Sequence, residues 1–353
     1  MSKLKIAQVV PSLSNKGPVI VAKDLVEVFV SKGHECEVFY FDNITELDFC
    51  CKTNKISFWN SFNFEDFDIV HLHTFRPSIY GTFQRLISTR KKVKFISTIH
   101  QPIKYNTFRL TKGRFLSAFY SFFSIAAYNN LDKNIVLSSY QKQLCNGLIN
   151  NSKIEVIKNG RDVRNVKETK IDSDISTLKS LKNKYKIIGS ISVVIKRKGL
   201  EQIIKSLVTL KDWAFVCVGD GDELEKLKDL SVQLKVDKRC LWLGYMKNAH
   251  VFNNFFNVFV IPSRSEGFPL AFIEAAAYGI PTVMSDIPIL KSIARNEEVA
   301  FFKLDNIKSL CESIRMANQN SHKYSKKLRK YYNSELTASA MAERYLDLYS
   351  KIL

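Results

Sequence analysis

Residues 257–284, NVFVIPSRSEGFPLAFIEAAAYGIPTVM, decide the fold. An apolar run, 257–261, ends at Pro262 and gives way to the short loop Ser263-Arg264-Ser265-Glu266-Gly267-Phe268. A helix is expected from about Pro269 to Tyr278, with proline favoured in its first turn and Gly279 placed as its C-terminal cap. A second apolar run, 281–284, follows at once. Strand, tight loop, helix and strand make one unit of a parallel sheet, and the loop amides and helix N-terminus form a site for anionic or hydroxyl-rich ligands. Glu266 precedes the helix and Glu274 lies eight positions on, at most about 12 Å along the axis. Two acceptors so spaced can hold both ends of one elongated ligand. The plain alternative is that Glu274 is solvated. Its neighbours Phe272, Ile273, Ala275, Ala276 and Ala277 are apolar, however, and an acid in such company calls for a partner.

The same alternation runs outward in both directions. Strands are expected at 4–10, 36–41, 68–72, 93–99, 134–138 and 154–157, and again at 186–191, 213–218, 240–243, 257–261, 281–284 and 299–302. Helical stretches at 18–32, 78–90, 114–129, 199–210, 222–235, 268–278 and 305–318 lie between them. Buried apolar strands alternating with helices mean an α/β fold whose parallel sheets are covered on both faces. Two such sets mean two doubly wound, Rossmann-like domains, with ligands beyond the strand C-termini. The boundary is placed in the polar stretch 164–184, giving an N-terminal domain over 1–165 and a C-terminal domain over 166–337. A closing helix over 338–353, apolar at Met341, Tyr345, Leu348 and Ile352, is able to pack back on the first domain.

Composition narrows the class. A chain of 353 residues with 46% hydrophobic content buries two ordinary cores. Its seven cysteines are scattered without a CxxC pair, against a disulfide framework and in keeping with a reducing cytosol. The first residues, MSKLKIAQVV, read as a strand rather than a signal peptide, and no run of about 18 apolar residues offers a membrane span. The net charge of +19 favours nucleic acid, anionic lipid or a polyphosphate ligand. From Ile69 to Leu131 there are ten Lys or Arg and no Asp or Glu.

Short motifs now fall into a known order. Glu266-Gly-Phe-Pro, Glu274-Ala and Gly279-Ile-Pro281 together resemble the E-x7-E signature of the retaining family-4 glycosyltransferases. Asp68-Ile-Val-His71-Leu-His73, Thr98-Ile-His100, Val136-Leu-Ser138, Val156-Ile157 through Asp162, Lys198-Gly199, Val218-Gly219-Asp220-Gly221 and Leu243-Gly244 resemble that family's other landmarks, over nearly the whole chain. The resemblance implies a GT-B fold, its two domains facing across a cleft. It implies hexose or N-acetylhexosamine transfer from a nucleotide-diphosphate sugar, UDP by family frequency, to a glycan or lipid-linked acceptor in surface-polysaccharide assembly. It also implies roles. Glu266 binds donor-sugar hydroxyls with the amides of Gly267 and Phe268, beside Pro269. Glu274 binds the ribose, Lys198 balances the diphosphate, and His100 sits by the anomeric centre. Lys16 and Gly17 bring the first loop to the phosphates. With cations and amides carrying the charge, no metal ion or other cofactor is expected. Two departures stand out: Lys16 replaces the first of two adjacent glycines, and the arginine expected before Lys198-Gly199 is absent, leaving Arg197 or Lys196 to replace it.

Other readings compete. His71-x-His73 on one strand face, with His100, has the make-up of a metal site, but no carboxylates accompany it. Gly219-Asp-Gly221 suggests dinucleotide binding, but Leu224 breaks the GxGxxG pattern. Residues 103–128 carry Arg109, Lys112, Arg114 and stripes such as Phe115, Phe119 and Phe122. They read as a helix on an anionic membrane, hence a peripheral place on the cytoplasmic face of the inner membrane, or as a buried helix. Lys323 to Lys330 reads as a solvated helix face. The alternative to an enzyme is a nucleic-acid- or lipid-binding protein on the same scaffold, although no nucleic-acid module motif is found.

Overall fold

The computed structural model describes residues 3–59, 61–87, 92–103, 114–163 and 172–353, with 114–120 and 172–174 described by backbone alone. Two compact units are formed, Met1–Arg161 with Glu335–Leu353, and Asp162–Ser334.

The first unit holds a parallel sheet of β1 (Lys5–Val10), β2 (Glu35–Tyr40), β3 (Lys52–Lys55), β4 (Ile69–His73), β5 (Lys94–Ile99), β6 (Lys133–Val136) and β7 (Ile154–Val156), in the order β3-β2-β1-β4-β5-β6-β7. The second holds β8 (Lys186–Ile191), β9 (Trp213–Val218), β10 (Cys240–Trp242), β11 (Val258–Ile261), β12 (Thr282–Ser285) and β13 (Ala300–Phe302), in the order β10-β9-β8-β11-β12-β13. Both are doubly wound, as expected, and strand order reverses between β1 and β4 and between β8 and β11. Those reversals open crevices at the strand C-termini.

Strands β1, β4 and β9 are buried nearly end to end, which is why their apolar runs were readable. β3 was not expected. Its sequence, KTNK, is polar and mostly exposed because it is an edge strand paired only with β2, and its lysines protect that edge. Asp172–Lys184 is a helix inside the stretch read as irregular; only Ile175 and Leu178 of its described side chains turn inward. The helix expected at 199–210 is the shorter Glu201–Ser206, and the one expected at 78–90 runs Phe75–Ile87. Lys323 to Lys330 lies on helix Ser321–Tyr331, which buries Tyr324 and Leu328 and exposes its cations. Helix Ala338–Ile352 belongs to the first unit, where it packs along helix Gly17–Ser31 and buries Tyr345 and Tyr349.

Candidate active site

The crevice of the second unit is framed by two loops. After β8 the chain runs through Ser192–Ile195 into a tight turn, Lys196–Lys198, closed by Gly199 at φ +67°. The two glycines of Gly219-Asp-Gly221 seat this loop. Ser192 donates to the Val218 carbonyl at 3.1 Å and Val194 to that of Asp220 at 2.8 Å. A Cβ at Gly219 would stand 1.9 Å from the Ser192 carbonyl oxygen, and one at Gly221 2.4 Å from that of Val194. Close backbone packing therefore accounts for this G-x-G.

After β11 the loop Pro262–Phe268 leads into helix Leu270–Tyr278, with Pro269 at its N-cap and Gly279 as the left-handed C-cap. Pro269 makes no side-chain cap, so the first-turn amides are left to other partners. Glu266 is 6% exposed. Its Oε1 accepts from Lys198 Nζ at 2.6 Å and from Ser263 Oγ at 2.6 Å, and its Oε2 lies 3.6 Å from Arg197 Nη1. The Arg197 guanidinium also donates to the Ser265 carbonyl. Of the two cations that could replace the missing arginine, Arg197 thus joins the cluster, while the Lys196 side chain is exposed. Phe268 and Pro269 are buried beside it and Gly267 is half-buried. Glu274 is also only 6% exposed, so the solvated reading of it is overturned.

Two residues that sequence reasoning passed over brace the loops. Arg264 donates from its backbone to the Arg197 carbonyl at 2.8 Å, from Nη1 to that of Lys196 at 3.1 Å, and from Nη2 to Glu201 at 2.6 Å and to Asp305. Gln202, buried, donates to the carbonyls of Gly199 at 3.2 Å and Pro262 at 3.0 Å. The arrangement sets two partly exposed cations and one buried carboxylate, prepositioned, at the strand-order reversal. It can hold a polyanion and a polyhydroxylated group side by side.

In the first unit, β4 and the end of β5 carry three buried histidines. His73 Nδ1 lies 3.1 Å from His100 Nε2, and His73 Nε2 lies 2.7 Å from Gln8 Oε1. His71 meets Tyr349 OH at 2.8 Å through Nδ1 and Thr98 Oγ1 at 2.7 Å through Nε2, and Thr98 meets Tyr345 OH at 2.8 Å. Burial holds His71 and His73 well below the ordinary imidazole range and lowers His100 to about 3. Among the described residues, no three His, Cys, Asp or Glu side chains are placed to hold a metal ion. Lys16 is exposed at the N-cap of helix Gly17–Ser31, and the preceding amide, of Asn15, donates to Glu46 at 2.7 Å. Gln8 carried one overlooked signal, an amide inside the apolar run LKIAQVV.

Comparison with known proteins bears on the family and the fold. Residues 173–335 match the family model "Glycosyl transferases group 1", and residues 16–165 match "Glycosyltransferase Family 4". The O-antigen biosynthesis glycosyltransferase WclY of Escherichia coli is 27% identical over 99% of both chains. A UDP-Gal:alpha-D-GlcNAc-diphosphoundecaprenol alpha-1,3-galactosyltransferase of E. coli is 27% identical over 73% of this chain and 68% of its own. Among solved structures, sucrose-phosphate synthase from Thermosynechococcus elongatus superposes with a TM-score of 0.83 at 16% identity over 99% of both chains. Anabaena HepE in complex with UDP and glucose does so with 0.81 at 15% identity, over 98% of this chain and 99% of its own. With two doubly wound units, the Glu266 and Glu274 motif on its loop and helix, and family matches over most of its length, the chain belongs to the family-4 glycosyltransferases of GT-B fold and is a glycosyltransferase.

Proposed function

We propose that this enzyme transfers a hexose or N-acetylhexosamine, with retention, from a UDP-sugar to a glycan or lipid-pyrophosphate-linked acceptor in surface-polysaccharide assembly. The observation that carries the reading is the Lys198–Glu266–Arg197 cluster at the β8/β11 crevice. Lys198 and Arg197 take up the charge that grows on the diphosphate as the anomeric C–O bond breaks. Glu266, with the amides of Gly267 and Phe268 and packed beside Pro269, accepts from donor-sugar hydroxyls, and Glu274 accepts from the ribose. Lys16 and Gly17 serve the phosphates, and His100 serves the reacting sugar. The acceptor oxygen forms the new bond on the face the diphosphate leaves, and its proton goes to the departing phosphate. On this reading lysine, arginine and amides do the charge work and no metal ion takes part. The relatives named for O-antigen biosynthesis and for a UDP-Gal donor support the substrate class.

Calorimetric titration with UDP, GDP and ADP in the presence of a chelator tests the reading. Saturable binding of UDP is expected, weakened in Glu274→Ala and little changed in Glu266→Ala, which instead loses turnover. Unchanged affinity and turnover in both variants would refute the assignments.

We further propose that the first unit docks on an anionic membrane at the cytoplasmic face through residues 103–128, of which 104–113 lie outside the described residues. Helix Arg114–Asn130 buries Ala127 and Tyr128 but exposes Phe122 by 68% and Phe123 by 41%. The neighbouring helix Phe75–Ile87 exposes Phe83, Leu86 and Ile87, in a segment rich in cations and free of acids. Protruding apolar side chains among cations suit an anionic bilayer surface. Among the described residues no helix is long and apolar enough to cross a membrane. Co-sedimentation with phosphatidylglycerol vesicles, reduced in Leu86→Ser/Phe122→Ser and by salt, is expected; no binding at low salt would end the idea.

A further inference from the structure

The three buried histidines are wired in a direction. Gln8 lies in the middle of β1, whose partner β4 carries His71 and His73, and the next strand, β5, runs out to His100. His73 Nε2 stands 2.7 Å from Gln8 Oε1, an oxygen that can only accept, so the proton of this contact belongs to His73. A neutral imidazole has one N–H, which leaves His73 Nδ1 as a lone pair 3.1 Å from His100 Nε2. That contact in turn needs a proton on His100 Nε2. His100 is then left with Nδ1 as its one acceptor. All three rings are buried deeply enough to be neutral near pH 7. The amide nitrogen of Gln8 faces the Tyr349 hydroxyl, short of a well-formed hydrogen bond. Tyr349 itself holds His71, whose ring lies against His73 with centroids 4.2 Å apart and planes tilted by 31°.

We propose that Gln8 is a positioning residue: through His73 it fixes the Nε2–H tautomer of His100, so that His100 meets its ligand through Nδ1 as an acceptor of a hydroxyl proton. This deepens, and rests on, the reading that His100 serves the reacting sugar. It selects the ligand contact chemically. A hydroxyl can donate to His100, whereas a carbonyl or unprotonated phosphate oxygen gains nothing from it.

Long-range 1H–15N correlation spectra of the full-length protein labelled at histidine test the wiring without any ligand. The chain has six histidines, few enough to assign by single substitutions. His73 and His100 are expected as Nε2–H tautomers between pH 6 and 8. In Gln8→Met, which keeps the bulk and removes the acceptor, both rings are expected to show mixed tautomers, while kcat for UDP release from UDP-galactose falls about tenfold and KM stays within about threefold. An Nδ1–H tautomer of His100 in the parent protein, or unaltered tautomers in Gln8→Met, would overturn the proposal. Should Gln8→Met fail to fold, the parent spectrum alone decides. If the tautomers are as expected but His100→Asn leaves UDP release unchanged, the acceptor role proposed here falls with the site reading, and the wiring stands only as structure.

Discussion

Replacing Lys198 with methionine separates what the cluster does for stability from what it does for turnover. The substitution keeps the stem and deletes the ammonium 2.6 Å from Glu266 Oε1. Stripping one partner from a fully buried ion pair costs about 3–5 kcal/mol. Here Glu266 keeps Ser263 on the same oxygen and Arg197 at 3.6 Å on the other, and the Lys198 side chain is 16% exposed. The cost should therefore be smaller, about 1–2 kcal/mol, read as a shift in the urea midpoint at unchanged slope. Turnover keeps only Arg197 as a second cation, set farther from Glu266 than Lys198 is. A single preplaced charge opposite a developing anion is worth about 10²–10³ in kcat, or about 2.7–4 kcal/mol. We expect kcat for UDP release to fall at least a hundredfold in a protein that still unfolds cooperatively, with Lys198→Arg recovering part of it. A folded Lys198→Met enzyme within fivefold of the parent kcat would refute the leaving-group role. The double variant with Glu266→Gln should lose less stability than the sum of the two single losses, since both remove one contact.

Three further outcomes follow from the same geometry. Gly199→Ala should cost about 2–3 kcal/mol by urea unfolding, because φ is +67° and the new Cβ would stand 2.3 Å from the Pro262 carbonyl; an unchanged midpoint would refute this. Acid should weaken the fold through the histidines. Their folded pKa values lie below the ordinary 6.5, so the unfolded chain binds more protons, and stability present above about pH 6.5 is lost as pH falls toward the folded value, about 3 for His100. Each ring adds a slope of up to about 1.4 kcal/mol per pH unit, so unfolding free energies at pH 7 and 5 should differ more in the parent than in His100→Gln. Tyr349→Phe leaves His71 Nδ1 buried without its partner and should cost about 1–3 kcal/mol; a variant as stable as the parent would show that contact to be idle.

What could be read in the sequence, and what could not, divides by the range of the interactions. Strands such as 213–218 and the Glu266/Glu274 segment announce themselves because composition, turn chemistry and burial agree within twenty residues. β3 was silent because an edge strand with no core face needs no apolar alternation. Arg264 stood in plain view in the decisive loop, yet its partners Glu201 and Asp305 lie 63 and 41 positions away, where no local pattern points. Tyr345 was read for its apolar spacing alone. Its hydroxyl finds Thr98 across 247 positions, and Tyr349 finds His71 across 278.

That last span bears on the order in which the protein is made. The strands that lead to His71, His73 and His100 leave the ribosome well before helix Ala338–Ile352, which supplies Tyr345 and Tyr349. At about 5–20 residues per second, tens of seconds pass between the two, enough for the whole of Asp162–Ser334 to emerge and fold. Through that interval His71 lacks the Tyr349 hydroxyl and the Tyr345 ring, and the side of helix Gly17–Ser31 on which helix Ala338–Ile352 packs lies open to water. The first unit thus begins before the second and closes after it, and removal of Glu335–Leu353 would leave its strands without their closing seal.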